Sequence, residues 1–175
     1  MQALQKKKAL FLDRDGIINE DKEYPSKPDH IVFIPAVFNV CRAAVEKDYI
    51  IVVVTNQAGV AKGLFSETDV IALHDWMSGQ FRQRGIIIAG FYYCPFHKNG
   101  TVEAYARDSF CRKPKPGMFL NAAKDLNIDL SRSIMIGDKH SDRIELPELK
   151  SYIIKSRYAV DNYDLESLEK AITIL

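Results

Sequence analysis

The sequence predicts an α/β fold, a three-layer, Rossmann-like arrangement in which a mostly parallel sheet is covered by helices on both faces. Two observations predict it: short apolar runs rich in β-branched or aromatic residues recur along the chain, and amphipathic helical stretches lie between them. That alternation is typical of parallel α/β sheets. Because the chain has 175 residues, 47% of them apolar, we expect residues 1–175 to form one domain around a buried core.

Each predicted element has its own signal. The five strands are the apolar runs, which span residues 9–12, 50–54, 86–93, 133–136 and 152–154. Three helices begin at a proline or at a capping-box sequence, namely at Pro35, at Ser66-Glu67-Thr68-Asp69 and at Pro116. Their apolar faces are Val37, Cys41, Ala44 and Val45; Val70, Leu73, Met77 and Phe81; and Phe119, Ala122, Ala123 and Leu126. A C-terminal helix is indicated by Leu165, Leu168 and Ile172.

Charge and composition narrow the function classes. Lysine and arginine total 24 against 23 acids, so no excess of positive charge favours binding to nucleic acid or a membrane surface. No apolar segment has membrane-spanning length, and the N-terminus lacks the layout of a signal peptide. Three cysteines make a complete disulfide framework unexpected. We therefore expect a cytoplasmic protein with neither nucleic acid nor membrane as a partner.

The first predicted strand ends in Asp13-Arg14-Asp15-Gly16. Alternate residues of a strand point to the same side, so Asp13 and Asp15 can face one pocket where the strand runs into a loop. Two nearby carboxylates suit a hard divalent cation. A solvated turn is the alternative interpretation at this point, since Asp and Gly are common in turns.

Three further segments place polar side chains near the same sheet edge. The second strand ends in Thr55-Asn56-Gln57-Ala58-Gly59, whose donors can surround an anion. The fourth ends in Gly137-Asp138-Lys139, with Asp142 one turn later. The irregular segment before Pro116 holds Arg112-Lys113-Pro114, a stiff basic loop suited to phosphate. Because the carboxyl ends of parallel strands share one edge, we expect these groups to converge.

The order of these four motifs resembles the haloacid dehalogenase superfamily. Within it, the segments 53–57, 92–95 and 111–114 are similar to the D-glycero-D-manno-heptose 1,7-bisphosphate 7-phosphatases, with the histidinol-phosphate phosphatases as near relatives. The resemblance implies a phosphatase, with a small sugar phosphate as its partner and Mg²⁺ as its cofactor. No large cap domain is expected, because helices, strands and loops use up the residues between the motifs. The small open-site relatives imply a monomer.

The resemblance also implies roles for individual residues. Asp13 would be the nucleophile that forms an aspartyl-phosphate, and Asp15 the proton donor and acceptor. Thr55 and Lys113 would stabilise the transferring phosphoryl group. Mg²⁺ would bind the Asp13 carboxylate, the Asp15 backbone carbonyl and Asp138. Asp142 is interpreted as an acid that orients Lys139 or a metal-bound water.

Substrate selection is expected to come from loops, because no cap domain is predicted. The candidate substrate-binding residues are Asp21, Lys22, Glu23, Tyr24, Asn56, Gln57, Ala58, Arg112 and Lys139. Two other functions stay open at this point: a histidinol-phosphate phosphatase with the same chemistry, and a non-catalytic binding module of the same fold. The sequence does not indicate which anomer of the sugar 1-phosphate is preferred.

The chain departs from the superfamily pattern in the irregular segment 94–112. Relatives often bind structural zinc there through Cys-x-His and Cys-x-Cys, but Phe96 and Ser109 occupy two of those four positions. A zinc site of Cys94, His97 and Cys111 is one interpretation. The favoured one is a loop held by buried Phe96, Phe110 and prolines. A disulfide between Cys94 and Cys111 is a third, against which the expected cytosolic setting argues.

Overall fold

The computed structural model describes residues 5–175. The strands are β1 (Lys8–Leu12), β2 (Tyr49–Asn56), β3 (Ile88–Cys94), β4 (Ile134–Gly137) and β5 (Lys150–Ile153). The α-helices are α1 (Ala36–Glu46), α2 (Ala58–Ala61), α3 (Glu67–Arg82) and α4 (Gly117–Leu126). Short 3₁₀ helices span Pro28–His30, Glu103–Tyr105, Leu130–Arg132, His140–Asp142 and Leu168–Ile174.

The five strands form one parallel sheet in the order β3-β2-β1-β4-β5. All five strands predicted from apolar runs are present, with bounds shifted by a few residues. The central strand β1 pairs with β2 on one side and β4 on the other, so the strand order reverses at β1. In open α/β sheets, ligands bind at the carboxyl ends of the strands at this kind of reversal. The fold therefore places the ends of β1, β2 and β4 at one crevice.

Helices cover both faces of the sheet, as predicted. Alternating residues of β1 point to opposite sides: Leu10 and Leu12 pack in one core cluster, whereas Ala9 and Phe11 pack in the other. The first cluster is covered by α1, α3 and the C-terminal 3₁₀ helix, and the second by α4. Both faces of the sheet are buried beneath helices, so the strands carry apolar residues on either side and lack polar alternation.

The predicted helix starts are correct. Helix α1 follows Pro35, and α4 follows Pro116. At α3, the Ser66 hydroxyl accepts from the Asp69 backbone N–H at 3.1 Å, and the Asp69 carboxylate accepts from the Ser66 N–H at 2.8 Å. This reciprocal pair is the predicted capping box.

The connection from β4 to β5, in which no helix was predicted, contains the 3₁₀ turn His140–Asp142, where the Asp142 carboxylate accepts from the Asp138 N–H. The expected C-terminal helix is wrong in type and extent. The C-terminal segment is a 3₁₀ helix, Leu168–Ile174, that leaves out Leu165. Leu165 pairs instead with Ile154 in an isolated bridge, so it cannot start a helix.

The irregular segment after β3 packs beside the end of β2. The short helix α2, which the sequence did not predict, holds it there: the Ala61 carbonyl accepts from the N–H groups of Thr101 and Val102 at 2.8 and 2.9 Å. Tyr105 reaches back to the first turn of α3, where its hydroxyl donates to Glu67. Within residues 5–175 the structure contains no large cap domain and no helix that has both the length and the apolar character to cross a membrane.

Candidate active site

The polar ends of the strands meet in one cavity of about 200 Å³. Asp13 follows β1, Thr55 and Asn56 end β2, and Asp138 follows β4 beneath them. The cavity is lined by Asp13, Asp15, Tyr24, Thr55, Asn56, Ala58, Arg112, Lys113, Lys139 and Ser141. The structure therefore brings together the groups that the sequence predicted to converge.

A buried lysine lies between two buried carboxylates at the floor of the cavity. The Lys113 ammonium is 2.9 Å from Asp13 Oδ1 and 2.6 Å from Asp142 Oδ1, and it donates to the Val54 carbonyl at 3.0 Å. Burial acts to lower the pKa of Lys113, but the two carboxylates outweigh it and the pKa is raised. Lys113 therefore stays charged.

The pKa of Asp13 is raised although a lysine lies beside it. Burial is the main cause that raises its pKa, to about 6; Lys113 acts against this, whereas Asp142 and Asp15 add to it. Asp13 Oδ1 also accepts from the Arg14 backbone N–H at 2.8 Å. Because the contacts with Lys113 and Arg14 both use Oδ1, Asp13 Oδ2 can face a ligand.

Asp138 is buried, and its Oδ1 has no hydrogen-bond partner among residues 5–175. Burial together with the nearby Asp13 raises its pKa to about 8. Gly16 permits this carboxylate to approach: its φ is +95°, and a Cβ there would lie 2.2 Å from Asp138 Oδ2. Only glycine fits this position, so it belongs to the site's construction.

These groups fit a divalent cation. Ligand oxygens of Asp13, Asp138 and Asp142 lie within 4.8 Å of one another, the one such group found among residues 5–175. Asp13 and Asp142 share the ammonium of Lys113, whereas Asp138 is destabilised as a carboxylate by Asp13 and Asp142, with Lys139 acting against them. A divalent cation would relieve the repulsion among the three carboxylates. Oxygen donors and an unpaired carboxylate oxygen are what Mg²⁺ prefers. Asp142 enters this group although the sequence analysis gave it only an orienting role.

Asp142 organises the loop after β4 through its backbone. Its Oδ2 accepts from the N–H groups of Asp138 and Lys139, both at 3.1 Å. The ammonium it contacts is that of Lys113, whereas the Lys139 ammonium lies 2.9 Å from Asp21 Oδ2. Asp142 therefore orients the main chain of Lys139, as its backbone contacts show. The lysine side chain that it contacts is that of Lys113.

Asp15 lies at the cavity with its carboxylate held from behind. Arg14 donates to both oxygens, at 3.0 Å each, from Nε and Nη2. Asn19 donates to Oδ1 at 2.9 Å, and Gln57 donates to Oδ2 at 3.3 Å. Asp13 and Asp15 thus line one cavity, as the strand spacing predicted, but distinct cations hold them: Lys113 and Arg14.

The end of β2 supplies the opposite wall. The Thr55 hydroxyl is buried and accepts from Gln57 Nε2 at 2.9 Å. Asn56 pairs with the main chain of Lys113 in both directions, accepting its N–H at 3.0 Å and donating to its carbonyl at 3.2 Å. The Gln57 amide is therefore committed to protein groups, and Asn56 fixes the backbone from which Lys113 reaches inward.

A second cleft of about 350 Å³ adjoins this cavity. It is lined by Asp15, Asp21, Glu23, Tyr24, Asn56, Gln57, Ala58, Lys139 and Tyr158. Of the predicted substrate-binding residues, Lys22 lines neither cavity, since its exposed ammonium pairs with Glu20 at 3.2 Å. The cleft is the candidate substrate channel.

The mouth of this cleft is a charged cluster. Asp21 Oδ2 lies 2.9 Å from the Lys139 ammonium and accepts from the Tyr158 hydroxyl at 2.9 Å. Burial acts to raise the pKa of Asp21, but these hydrogen bonds hold it below its usual range. The Lys139 ammonium lies 4.7 Å from the centre of the Tyr158 ring. Tyr158 thus joins the loop after β1 to the loop after β5.

The loop that carries Arg112 and Lys113 differs from expectation. Cys94, buried at the end of β3, forms a disulfide with Cys111, with 5.5 Å between the two Cα atoms. That spacing suits a disulfide. The expectation that a cytosolic setting would prevent this disulfide is therefore wrong. Phe110 is 60% exposed and cannot hold the loop by burial, although Phe96 packs on the core as expected. A disulfide leaves neither sulfur as the thiolate that zinc binds, so the two interpretations exclude each other.

Comparisons with known proteins identify relatives of this chain. Residues 110–144 match a family model described as "HAD-hyrolase-like". The D-glycero-beta-D-manno-heptose-1,7-bisphosphate 7-phosphatase of Vibrio cholerae is 46% identical over 136 residues, which cover 78% of this chain and 73% of the relative. The corresponding alpha enzyme of Burkholderia mallei is 45% identical over 137 residues, which cover 78% and 72%. The chain belongs to the haloacid dehalogenase superfamily, in its heptose-bisphosphate 7-phosphatase family.

The fold agrees with a solved member of that family. A D,D-heptose 1,7-bisphosphate phosphatase from B. bronchiseptica, complexed with magnesium and phosphate, superposes with a TM-score of 0.77 at 24% identity. The match covers 95% of this chain and 97% of that chain. The parallel sheet and its helical layers are thus those of the haloacid dehalogenase fold.

Three residues near the site were not predicted from the sequence, because they lie on segments that carry none of the four motifs. His74, on the buried face of α3, contacts Arg14 at 3.3 Å. Tyr158 and Ser156 follow β5, and the Ser156 hydroxyl donates to the Asp138 carbonyl at 2.6 Å. The sequence signal that could have found His74 is a histidine on the apolar face of an amphipathic helix.

Proposed function

We propose that this chain is a Mg²⁺-dependent phosphatase that removes the 7-phosphate of D-glycero-D-manno-heptose 1,7-bisphosphate through an aspartyl-phosphate intermediate. The observation that carries the proposal is the buried cluster in which Lys113 lies between Asp13 and Asp142. The names of the relatives from Vibrio cholerae and Burkholderia mallei support the substrate. Because they name opposite anomers, the similarity does not select one.

Asp13 acts as the nucleophile. Its pKa of about 6 leaves the carboxylate ionised at neutral pH, and Lys113 with the Arg14 N–H fixes Oδ1. Oδ2 is therefore presented to the phosphorus of the substrate. Attack forms the acyl-phosphate bond and breaks the bond from phosphorus to the sugar oxygen, which divides one slow displacement into two steps.

Asp15 serves both half-reactions. It donates a proton to the departing sugar oxygen and then removes a proton from the water that hydrolyses the aspartyl-phosphate. Its position on the cavity wall beside Asp13 supports both transfers. The result is phosphate, the dephosphorylated sugar and regenerated Asp13.

Thr55 and Lys113 hold the transferring phosphoryl oxygens. The Thr55 hydroxyl accepts from Gln57, so its own proton is available to a phosphoryl oxygen. Asp13, the Asp15 carbonyl and Asp138 would hold Mg²⁺, which would offset the charge repulsion between carboxylate and phosphate. Phosphoryl transfer depends mainly on such positioning and charge stabilisation.

The adjoining cleft selects the substrate. Asp21, Glu23 and Tyr24 on one side and Lys139 on another offer hydrogen bonds to a polyhydroxy chain, and Arg112 offers a charge partner for the second phosphate. The cleft is open to solvent, so specificity comes from these loops.

A kinetic comparison tests the function. We expect phosphate release from both heptose 1,7-bisphosphate anomers to require Mg²⁺ and to exceed release from histidinol phosphate in kcat/KM. A preference for histidinol phosphate would assign the second activity instead. Absence of Mg²⁺-dependent phosphate release from all three substrates would leave the non-catalytic binding module.

A further inference from the structure

Arg14 is completely buried, although it lies between the two acids of the site. A buried guanidinium is stable only where charge and hydrogen bonds compensate the loss of water. Its compensation is a two-pronged contact with Asp15, in which Nε donates to Oδ1 and Nη2 to Oδ2, both at 3.0 Å. Parallel bonds of this kind fix the plane of a carboxylate as well as its distance.

The remaining donors of Arg14 are used by groups on three other segments. Nη2 also donates to the Pro25 carbonyl at 2.9 Å and to Gln57 Oε1 at 3.2 Å. Nη1 lies 3.3 Å from His74 Nε2. The guanidinium is thus held by the loop after β1, the end of β2 and helix α3. Its position is therefore fixed by groups other than Asp15.

His74 is suited to be an acceptor in this arrangement. Arginine only donates, so Nε2 must carry the lone pair and the ring must be neutral. Burial, with Arg14 adding to it, lowers the pKa of His74 to about 3, which keeps the ring neutral. The ring stacks on Phe91, with 4.6 Å between centroids, so its orientation is fixed by β3.

We propose that Arg14 is a positioning residue for the phosphatase reaction: held by Gln57 and His74, it fixes the carboxylate of Asp15 in the orientation required for proton transfer. This inference rests on the proposed function, because it assigns Arg14 to the residue that moves the protons. Arg14 reaches the Asp13 carboxylate through its backbone N–H, which the substitution keeps, while its guanidinium bonds to Asp15. Its loss should therefore impair proton transfer and leave attack by Asp13 largely intact.

Substrates with different leaving groups separate these two effects. The sugar alcohol of heptose bisphosphate needs a proton to depart, whereas the nitrophenolate of p-nitrophenyl phosphate leaves without one. For Arg14→Met we expect kcat on heptose bisphosphate to fall about 10- to 100-fold, less than the ~10²–10⁴-fold that acid–base catalysis contributes because Asp15 itself remains, with KM within about threefold. With p-nitrophenyl phosphate, a rapid first release of nitrophenolate should be followed by slow turnover as phosphoenzyme accumulates.

Matched variants distinguish positioning from general damage. Arg42→Met, at an exposed arginine whose guanidinium donates to Asn39, should match the parent protein in both assays. In an Asp15→Asn background, Arg14→Met should cause no further loss of kcat. If Arg14→Met fails to fold, as judged by thermal unfolding, the pair His74→Gln and His74→Leu replaces it. The glutamine keeps an acceptor and should retain more heptose bisphosphate turnover than the leucine.

The outcomes that overturn the proposal are distinct from those that overturn the function. Equal losses in the first nitrophenolate release and in sugar turnover, or a further loss in the Asp15→Asn background, would show that Arg14 does not act through Asp15. Equal sugar turnover by His74→Gln and His74→Leu would do the same where those variants are used. A parent protein that releases phosphate from neither substrate would overturn the proposed function and this inference together.

Discussion

At the scale of single residues, the site places several carboxylates close together in the protein interior. Asp13 and Asp142 flank the buried ammonium of Lys113, and an oxygen of the buried Asp138 lies within 4.8 Å of oxygens of both. The arrangement is costly for the metal-free chain, since desolvation raises the pKa of both Asp13 and Asp138. Such strain is relieved by ligands, so the same residues that lower stability favour binding of a cation and the chemistry that follows.

The proposed nucleophile gives the sharpest prediction at this scale. Asp13→Asn keeps the shape of the side chain but removes the charge that attacks phosphorus, so phosphate release should fall below detection. Catalysed phosphate-monoester hydrolysis gains up to ~10²¹ over the uncatalysed reaction, which leaves no measurable background. Phosphate release by Asp75→Asn, an exposed acid on α3, should be unchanged. Substantial turnover by Asp13→Asn would contradict the assignment.

The buried carboxylates also predict how pH affects stability. The native pKa values of Asp13 and Asp138, about 6 and about 8, lie above the ordinary 3.8. Between pH ~4 and ~8 the metal-free native protein therefore holds more protons than the unfolded chain, and its unfolding free energy falls as pH rises. Asp142 and Asp21 face Asp138 and strengthen this effect, while Lys139 opposes it.

Binding of Mg²⁺ should reverse that trend, because the metal binds ionised carboxylates. The rise in Tm on adding Mg²⁺ to chelator-treated protein should therefore grow from pH ~5 to pH ~8. Thermal unfolding with and without Mg²⁺ across that range measures it. Asp138→Asn should show a much smaller rise at every pH. A rise of equal size at both ends of the range would refute the link to these carboxylates.

At the scale of elements, the segment between β3 and α4 is held by several unrelated contacts. The disulfide joins Cys94 to Cys111, Tyr105 bonds to Glu67, and the Ala61 carbonyl accepts from the N–H groups of two loop residues. None of these contacts requires a metal. The loop therefore obtains its order from a covalent cross-link and from helices on either side.

The cross-link is open to direct measurement. Alkylation of the denatured, unreduced protein should label one thiol per chain, Cys41, and peptide mapping should find Cys94 linked to Cys111. Reduction should lower the unfolding free energy by about 2–4 kcal/mol, the usual effect of a loop of this size. Stoichiometric zinc in the purified protein, with three thiols labelled, would instead establish the zinc interpretation.

At the scale of the whole molecule, the parallel sheet brings residues distant in sequence to one crevice and leaves the entrance uncovered. Loops after β1 and β5 meet across that entrance through Asp21 and Tyr158. Arg157 strengthens the junction, since its guanidinium donates to the Tyr158 hydroxyl at 2.7 Å. Without a cap domain in residues 5–175, this junction is the part of the fold best placed to shape the substrate cleft.

Removing one hydroxyl tests the junction. Tyr158→Phe loses the donor to Asp21, which frees the loop after β1, so KM for heptose bisphosphate should rise about three- to tenfold. The value of kcat should change less than twofold, because the reacting groups lie deeper. Tyr163→Phe, which loses a hydroxyl bonded to Glu166 away from the cleft, is the control. A fall in kcat at constant KM would contradict a role in substrate binding.

The sequence was sufficient for the parts of the site that local pattern determines. Strand ends located Asp13, Thr55 and Asp138, because apolar runs identify strands and parallel strands share an edge. The 3₁₀ turn between β4 and β5 was not predicted by the same means, because the Asp142 carboxylate holds it through the backbone N–H groups of Asp138 and Lys139.

Contacts between distant segments could not be read from pattern. Strand alternation turns Arg14 away from Asp13, and nothing local indicates that its guanidinium reaches Gln57 and His74. The disulfide likewise depends on the path of a loop that has no periodicity. Such contacts are set by tertiary packing, which a single sequence does not encode in any short window.

The pairing of Asn56 with the Lys113 main chain attaches one end of the segment between β3 and α4 to strand β2. Because both bonds join Asn56 to the backbone of Lys113, β2 fixes the main chain from which the ammonium reaches Asp13 and Asp142. Changes within residues 97–109 need not alter this attachment. Substrate preference can thus diverge between descendants of such a chain while the phosphoryl-transfer machinery is inherited unaltered.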